Sequence, residues 1–434
     1  MESKDKTVIT FHSGILTIGG TIIEVAYHDS HIFFDFGTEY RPELDLADES
    51  LNTLLEHRLI PDLNGLGLYD PRLFDQVQHI QVGEREPYQH TAVFLSHAHL
   101  DHSKMINYLD PAIPLYTLNE TKQILHSLHR NNDFLIPSPF EKEGFVREMN
   151  GLSPYETVQI GEISVEILPV DHDAYGAAAL LIKTPDRFLT YTGDLRLHGY
   201  DRQMTETFCQ KSFQTDLLMM EGVSISFPDR EISEQTPIAT EEELVQRFCE
   251  LVDQYPNRQI TFNGYPANLK RLEMLVKQSP RTMVLEANMA ALMKEVLGMN
   301  VPYYYLTDSP VIPILQSELE YPYEVLRNDE TTFVWQVVDN IENLQGGGLY
   351  IHSDAQPLGD FDPQYAVFLK ILAEKQVEFV RLSLSGHAFP ADLAEIIDKI
   401  QPKVLVPIHT LKPEKLVNPY GERILPKRGE QIIL

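Results

Sequence analysis

The sequence contains too few cysteines for a disulfide-stabilised fold. Only Cys209 and Cys249 occur among 434 residues, whereas a small secreted scaffold needs several pairs. The N-terminal residues MESKDKTVIT lack the apolar core of a signal peptide. The most apolar early stretch, residues 14–26, is too short to span a bilayer. We therefore expect a soluble, cytoplasmic protein in a reducing compartment that has no membrane partner.

Positive charge is also scarce. Lysine and arginine number 35 against 64 aspartates and glutamates, which gives a net charge of −29. This balance does not suggest a generic nucleic-acid coat protein, because phosphate backbones favour clusters of Lys and Arg. It permits an enzyme with a local basic groove. The apolar fraction of 43% is enough for a sizeable core, and the length suits two or three domains.

The arrangement of strands and helices predicts one α/β domain inserted into another. Short apolar runs dominate the first half, as in AVFLS at residues 92–96. From about Asp216, strands alternate with longer helices, which is typical of βαβ units on a parallel sheet. After Glu378 the chain returns to strand, motif, helix and strand. We expect residues 1–215 and 379–434 to form the first domain and residues 216–378 the inserted one.

The segment SHAHLDH at residues 96–102 is the strongest chemical signal. It offers His97, His99, Asp101 and His102 within six residues, directly after an apolar strand. A turn at the end of a strand can direct all four side chains into one pocket. Imidazoles together with a carboxylate suit zinc or a similar divalent ion.

Three further residues that could bind metal follow apolar strands later in the sequence. His172 lies in LPVDHDAYG, Asp194 in YTGD and His409 in VLVPIHT. Each histidine alone is commonly a satisfied or exposed surface group. Together, at the ends of strands after the metal motif, they predict one site, in which the carboxylate of Asp194 can bridge two ions.

These motifs resemble the metallo-β-lactamase superfamily. HAHLDH resembles its H-x-H-x-D-H signature, Asp35 in FFDFG its first motif, His172 the third and Asp194 the fourth. The later part resembles the β-CASP branch of nucleic-acid hydrolases, and the overall order is most similar to bacterial ribonuclease J. Its three later motifs are matched by Glu221 in MMEG, His387 in LSGHA and His409 in PIHT. The resemblance implies an αββα sandwich with an inserted β-CASP-like α/β domain.

The same resemblance implies a role for each motif residue. His97, His99 and His172 would hold one divalent ion, and Asp101, His102 and His409 the second, with Asp194 bridging. The ions, zinc or alternatively manganese, would lower the pKa of a shared water and create a hydroxide that attacks phosphorus. The catalytic set would then be Asp101, Asp194 and His387, with His387 protonating the leaving oxygen. Asp35 and Glu221 would orient metal-binding imidazoles.

Two further pairs are weaker candidates for binding substrate. Ser385 and Gly386 could offer a hydroxyl and backbone N–H groups to a phosphate, although Ser-Gly is equally a plain turn. Lys270 and Arg271 lie on a predicted helix and could face a nucleic-acid groove, or they could be solvated surface.

The leading functional hypothesis is therefore metal-dependent cleavage of RNA, or of another single-stranded nucleic acid, by a chain that could form homo-oligomers. Two alternatives remain open. One is hydrolysis of a small ester, lactone or thioester at the same dinuclear site, which the acidic charge favours. The other is a regulatory protein whose hydrolase site has decayed, and the complete ligand set argues against it.

Overall fold

The computed structural model describes residues 5–41, 43–44, 46–76, 89–131, 133–227, 237–306 and 309–434. The described chain divides into two compact units. Unit 1 draws on residues 1–197, 201–231 and 386–434, and unit 2 on residues 198–200 and 232–385. None of the described helices is long and apolar enough to cross a membrane.

Unit 1 contains two seven-stranded sheets. The first has the order β20-β1-β2-β3-β4-β5-β6. Its strands β1 to β3 are antiparallel and β3 to β6 are parallel. The bounds are β1 Val8–Phe11, β2 Ile23–Tyr27, β3 Ser30–Phe34, β4 His90–Phe94, β5 Leu115–Leu118, β6 Asn150–Leu152 and β20 Gln431–Ile433.

The second sheet has the order β19-β18-β11-β10-β9-β8-β7. Its strands β10, β11 and β18 are parallel, so their carboxyl ends share one edge of the sheet. The bounds are β7 Thr157–Ile160, β8 Ile163–Pro169, β9 Ala178–Lys183, β10 Phe188–Tyr191, β11 Leu217–Glu221, β18 Val404–Ile408 and β19 Glu422–Arg423.

A continuous apolar core lies between these two sheets. It combines Val25 and Ile32 from the first sheet with Val165, Leu180 and Met219 from the second. A second core covers the other face of the second sheet, where the terminal helix packs through Leu393 and Ile396 and the helix after β10 packs through Phe208. The helices of unit 1 are α1 Leu51–Glu56, α2 Leu100–Ser103, α3 Asn119–Leu128, α4 Arg202–Lys211, α5 Val223–Ser226 and α11 Pro390–Ile400.

Unit 2 is built on one parallel six-stranded sheet with the order β14-β13-β15-β12-β16-β17. All of its strand pairs are parallel, as the alternation of strands and helices predicts. The strands are β12 Ile260–Gly264, β13 Thr282–Glu286, β14 Tyr303–Tyr304, β15 Phe333–Gln336, β16 Leu349–Ser353 and β17 Glu378–Arg381. The helices are α6 Glu241–Gln254, α7 Leu269–Gln278, α8 Ala287–Leu297, α9 Tyr323–Arg327 and α10 Pro363–Glu374.

The predicted α/β sandwich is confirmed. The boundaries between the two units differ from those that the sequence predicts. The sequence places β11 in the insertion, but β11 pairs with β10 and β18 in unit 1. It also places most of β17 in the returning segment, but β17 pairs with β16 in unit 2. Both boundaries lie further along the chain than residues 215 and 378. The sequence could not place them, because an apolar run does not indicate which sheet a strand joins.

Candidate metal centre

The HAHLDH motif runs from the turn after β4 into α2, and Asp35, directly after β3, anchors this turn. The N–H of Ser96 donates to Oδ1 of Asp35 at 2.7 Å, and the Ser96 hydroxyl donates to Oδ2 at 3.0 Å. The Tyr191 hydroxyl donates to the same Oδ2. Asp35 itself has a left-handed backbone, with φ of 64°, and such conformations at strand ends are retained where the surrounding structure enforces them. The four ligand-type side chains of the motif are therefore presented by an anchored turn and the short helix that follows it.

The structure brings the seven ligand-type residues together in two groups that share Asp194. In the first group the ligand atoms lie within 4.8 Å of one another, and the same limit holds in the second. Each group combines histidines with the shared carboxylate, which is the donor set of a divalent metal site. The first group is His97, His99, His172 and Asp194, and the second is Asp101, His102, Asp194 and His409.

The buried polar atoms of these groups fit a cation. Nε2 of His97, of His102 and of His409 has no hydrogen-bond partner among the described residues, and neither has Oδ2 of Asp194. All four residues are at most 2 % exposed. Buried polar atoms without partners are costly, and a positive ion placed between their lone pairs would satisfy them together. The residues present therefore suit divalent metal.

Outer contacts fix the orientation of several rings. Nδ1 of His102 lies 2.8 Å from Oδ2 of Asp35, and Nδ1 of His97 lies 2.9 Å from the Ser96 hydroxyl. Nδ1 of His172 donates to the carbonyl of Gly386 at 2.6 Å. Each contact leaves Nε2 directed at the cluster, which is how proteins prepare imidazole ligands.

His409 is held differently. The N–H of Gly19 donates to Nδ1 of His409 at 3.0 Å. This contact places the proton of the neutral ring on Nε2, which lies 3.7 Å from Oδ2 of Asp194. An ion at Nε2 would need the lone pair of that nitrogen, so the hydrogen of the neutral ring would have to move to Nδ1 and the contact with Gly19 would have to open.

The electrostatics of the cluster favour bound cations. Burial lowers the pKa of His97 well below its usual value, with neighbouring imidazoles adding to the effect. Burial also lowers the pKa of His172, to about 3. Burial opposes the protonation of His102 as well, but the carboxylates of Asp194 and Asp101 outweigh it and raise the pKa of that ring. His97 and His172 therefore offer neutral imidazoles, and the carboxylates of the second group attract positive charge.

His387 lies beside the cluster and is not a member of either group. Its Nδ1 lies 3.2 Å from Oε1 of Glu221 and 3.8 Å from Oδ2 of Asp194. Burial would lower the pKa of His387, but the carboxylates of Glu221 and Asp194 outweigh it and raise the pKa to about 9. Glu221 was expected to orient a metal-binding imidazole. The structure places Glu221, at the end of β11, against His387 instead.

Of the weaker candidates, Arg271 is a correction. It is 3 % exposed and pairs with the carboxylates of Glu241 and Asp354, so it cannot contact nucleic acid from the surface. Its neighbour Lys270 is half-buried. The carbonyl of Ser385 accepts a hydrogen bond from Nε2 of His198, and Gly386 uses its carbonyl to hold His172. The expected phosphate contacts of Ser385 and Gly386 stay predictions.

One residue at this centre was missed by the sequence analysis. Asp173 follows His172 directly, and its Oδ1 lies 3.2 Å from Nε2 of His172 and 3.4 Å from Nε2 of His99. The adjacent pair His-Asp was the available signal. It was uninformative alone, because successive residues after a strand can point in opposite directions.

The chain is similar to a known protein family and to a solved structure. Residues 67–246 match the family model described as the beta-lactamase superfamily domain. Among solved structures, the chain is similar to a crystal structure of a protein of unknown function from Enterococcus faecalis V583. The identity is 65%, the TM-score is 0.94, and the match covers 99% of this chain and 100% of that one. No curated protein matches.

Proposed function

We propose that this chain, which belongs to the metallo-β-lactamase superfamily, is a two-metal ribonuclease of the β-CASP branch, related to ribonuclease J. The superfamily domain and the His/Asp cluster identify a hydrolase whose site can hold divalent metal. The observation that carries the two-metal proposal is the shared carboxylate of Asp194, which belongs to both ligand groups. Zinc is the ion we propose first, and manganese second.

The residues of the chain divide the work of such a reaction. When bound, two divalent ions would supply a nucleophile at neutral pH and neutralise charge on the phosphate oxygens. Asp194 would keep the ions close together. Asp101 and His102, which are adjacent on α2, would fix the second ion relative to the first through the rigid turn after β4.

His387 is proposed as the proton donor to the leaving oxygen. It is 20 % exposed, so one side of the ring can meet a substrate while the other contacts Glu221. A general acid must lie within hydrogen-bond reach of the leaving group and outside the metal shell. His387 lies outside both ligand groups and 3.8 Å from the shared Asp194, which supports this proposed role.

The proposed RNA contacts are Lys412 and Lys415, which directly follow His409 in the chain. A third lysine near His409 in the sequence, Lys403, pairs with Asp216 at 2.8 Å and is left out of the proposal. Lys412 is half-buried and Lys415 is exposed, and neither forms an ion pair within the described part of the chain. With a net charge of −29, attraction of a polyanion must come from such local cations.

The test is to incubate the protein with 5′-monophosphorylated RNA and zinc or manganese, and to separate the products by length. We expect metal-dependent cleavage that a chelator abolishes. The double variant Lys412→Glu, Lys415→Glu should weaken RNA binding more than hydrolysis of a small phosphodiester. Its salt dependence should flatten by about 0.7 per lost phosphate contact. The matched control reverses two exposed lysines of unit 2, Lys277 and Lys370, and should bind RNA as the wild type does.

The acidic charge supports a second candidate, hydrolysis of a small ester, lactone or thioester. Such substrates need no polyanion attraction. If RNA is neither bound nor cut at low salt while a small ester is hydrolysed well, this second function replaces the first.

A further inference from the structure

Asp173 places a buried carboxylate against the first group of ligands. Its side chain is 13 % exposed, and Oδ1 accepts no hydrogen bond from the described residues. The two nearest ring nitrogens are Nε2 of His172 at 3.2 Å and Nε2 of His99 at 3.4 Å. A buried carboxylate oxygen without a donor is costly, so a proton or a cation must reach this oxygen when the site is assembled.

The proton of His172 is already assigned by its other contact. Nδ1 of His172 lies 2.6 Å from the carbonyl oxygen of Gly386. A carbonyl only accepts, so Nδ1 must carry the hydrogen. The neutral ring of His172 therefore presents a lone pair on Nε2 and has no proton to give to Asp173.

That lone pair meets His99 at a distance that suits a shared ion. Nε2 of His172 lies 3.2 Å from Nδ1 of His99. Two nitrogens that bind one zinc ion at about 2.1 Å in a tetrahedral shell lie about 3.4 Å apart. Without an ion, Nδ1 of His99 has to donate a hydrogen bond to Nε2 of His172. With an ion there, the proton has to leave Nδ1, and Nε2 of the same ring then carries the hydrogen.

We propose that Asp173 is a positioning residue for the first ion: its carboxylate accepts the Nε2 hydrogen of His99, so that Nδ1 of His99 faces the metal. The 3.4 Å separation between Oδ1 and Nε2 needs only a small approach to become a hydrogen bond. Asp173 then does for His99 what Asp35 does for His102 in the second group. This inference rests on the proposed metal site and not on the proposed RNA substrate.

Packing keeps the carboxylate in this place. A Cβ added to Gly386 would lie 2.3 Å from Oδ1 of Asp173, so only glycine leaves room for the carboxylate. Gly386 thus serves both rings, because its carbonyl holds His172 and its missing side chain admits Asp173. A plain turn at Ser385–Gly386 would have no such requirement.

The first test is the ring atom that binds the ion in wild-type protein. In a crystal structure loaded with zinc, we expect Nδ1 of His99 about 2.1 Å from the first ion and Oδ1 of Asp173 within about 3.0 Å of Nε2. Nitrogen-15 spectra of histidine-labelled, zinc-loaded protein should show a protonated Nε2 for His99. Zinc bonded to Nε2 of His99, or bonded directly to Oδ1 of Asp173, would overturn the proposal.

The second test compares matched variants by chelator competition. Asp173→Ala should lower the affinity for the first ion by about 10–100-fold, as loss of a hydrogen-bond partner of a metal ligand does. The affinity for the second ion should stay near that of the wild type. Asp173→Asn should recover part of the loss, because its amide oxygen still accepts. His409→Ala is the control: it removes a ligand of the second group alone, so it should weaken binding of the second ion instead.

The outcomes separate this inference from the proposed function. If Asp173→Ala holds the first ion as tightly as wild type, Asp173 does not position His99. If Asp173→Ala does not fold, the ring atom found in wild-type protein decides. If wild-type protein binds no ion, the two-metal function fails as well. If His99 binds through Nδ1 as expected but RNA is not cut, only the ribonuclease proposal fails.

Discussion

Removing the buried guanidinium of Arg271 tests whether this residue is structural or binds nucleic acid. Nε and Nη2 donate to the two carboxylate oxygens of Glu241 at 2.8 and 2.9 Å, and Nη1 donates to Asp354 at 2.7 Å. Glu241 is fully buried, and Arg271 is 3 % exposed. Burial opposes the charge of Arg271, yet the two carboxylates raise its pKa above the usual value. Arg271→Ala would therefore leave two carboxylates without their shared cation.

Breaking a buried pair in this way costs about 3–5 kcal/mol. We expect the urea midpoint of unit 2 to fall by about 2 M, for a slope of about 2 kcal/mol/M. Lys270→Ala is the control on the neighbouring, half-buried position, and it should change stability by about 0.5 kcal/mol or less. A stable Arg271→Ala variant that binds RNA weakly would refute the structural role and restore the expectation drawn from the sequence.

Three further changes have defined outcomes. Burial raises the pKa of Glu286 from 4.5 to about 7. Glu286 therefore ionises at lower pH in the unfolded chain, and the free energy of unfolding should fall by about 3 kcal/mol as the pH rises from 4.5 to 7. Denaturation of Glu286→Gln at several pH values should lack this fall, and a pH profile like that of the wild type would contradict the prediction. Gly37→Ala would place a Cβ 2.1 Å from the backbone carbonyl of Asp101, so elemental analysis should find metal lost, whereas Gly65→Ala meets no atom within 4 Å and should bind metal normally. His387→Ala should lose most hydrolytic activity and keep its metals, and loss of an ion would place His387 in the coordination shell.

The metal-centre residues could be predicted because strand ends gather at one edge. His97 to His102 are six consecutive residues after β4, so local sequence suffices to place them together. Asp194 and His409 follow β10 and β18, which run parallel in one sheet. Parallel strands end on the same side, and apolar runs followed by ligand-type residues therefore identify both positions.

Arg271 could not be predicted because its partners are distant in the chain. Glu241 and Asp354 lie 30 and 83 residues away, and no local pattern links them. One signal was present in the helix itself. Arg271 lies four residues before Leu275, so the two share the buried stripe of α7. The charge of Arg271 predicted a solvent-exposed side chain, whereas its position in the helix predicted a buried one.

The unit bounds were misplaced for a related reason. Hydrophobic periodicity identifies β11 as a buried strand but cannot choose between two sheets. The pairing of β11 with β10 and β18 fixes the choice. Strand pairing is a property of the tertiary structure, and so is the contact between Asp173 and His99.

The central claim is that Asp194 joins two metal-binding groups in one site. Elemental analysis of protein purified without chelator, and again after reconstitution with zinc or manganese, tests it most directly. We expect about two equivalents per chain, and about one or none in Asp194→Ala, because both groups lose their shared carboxylate. Wild-type protein that binds no divalent ion after reconstitution would contradict the claim.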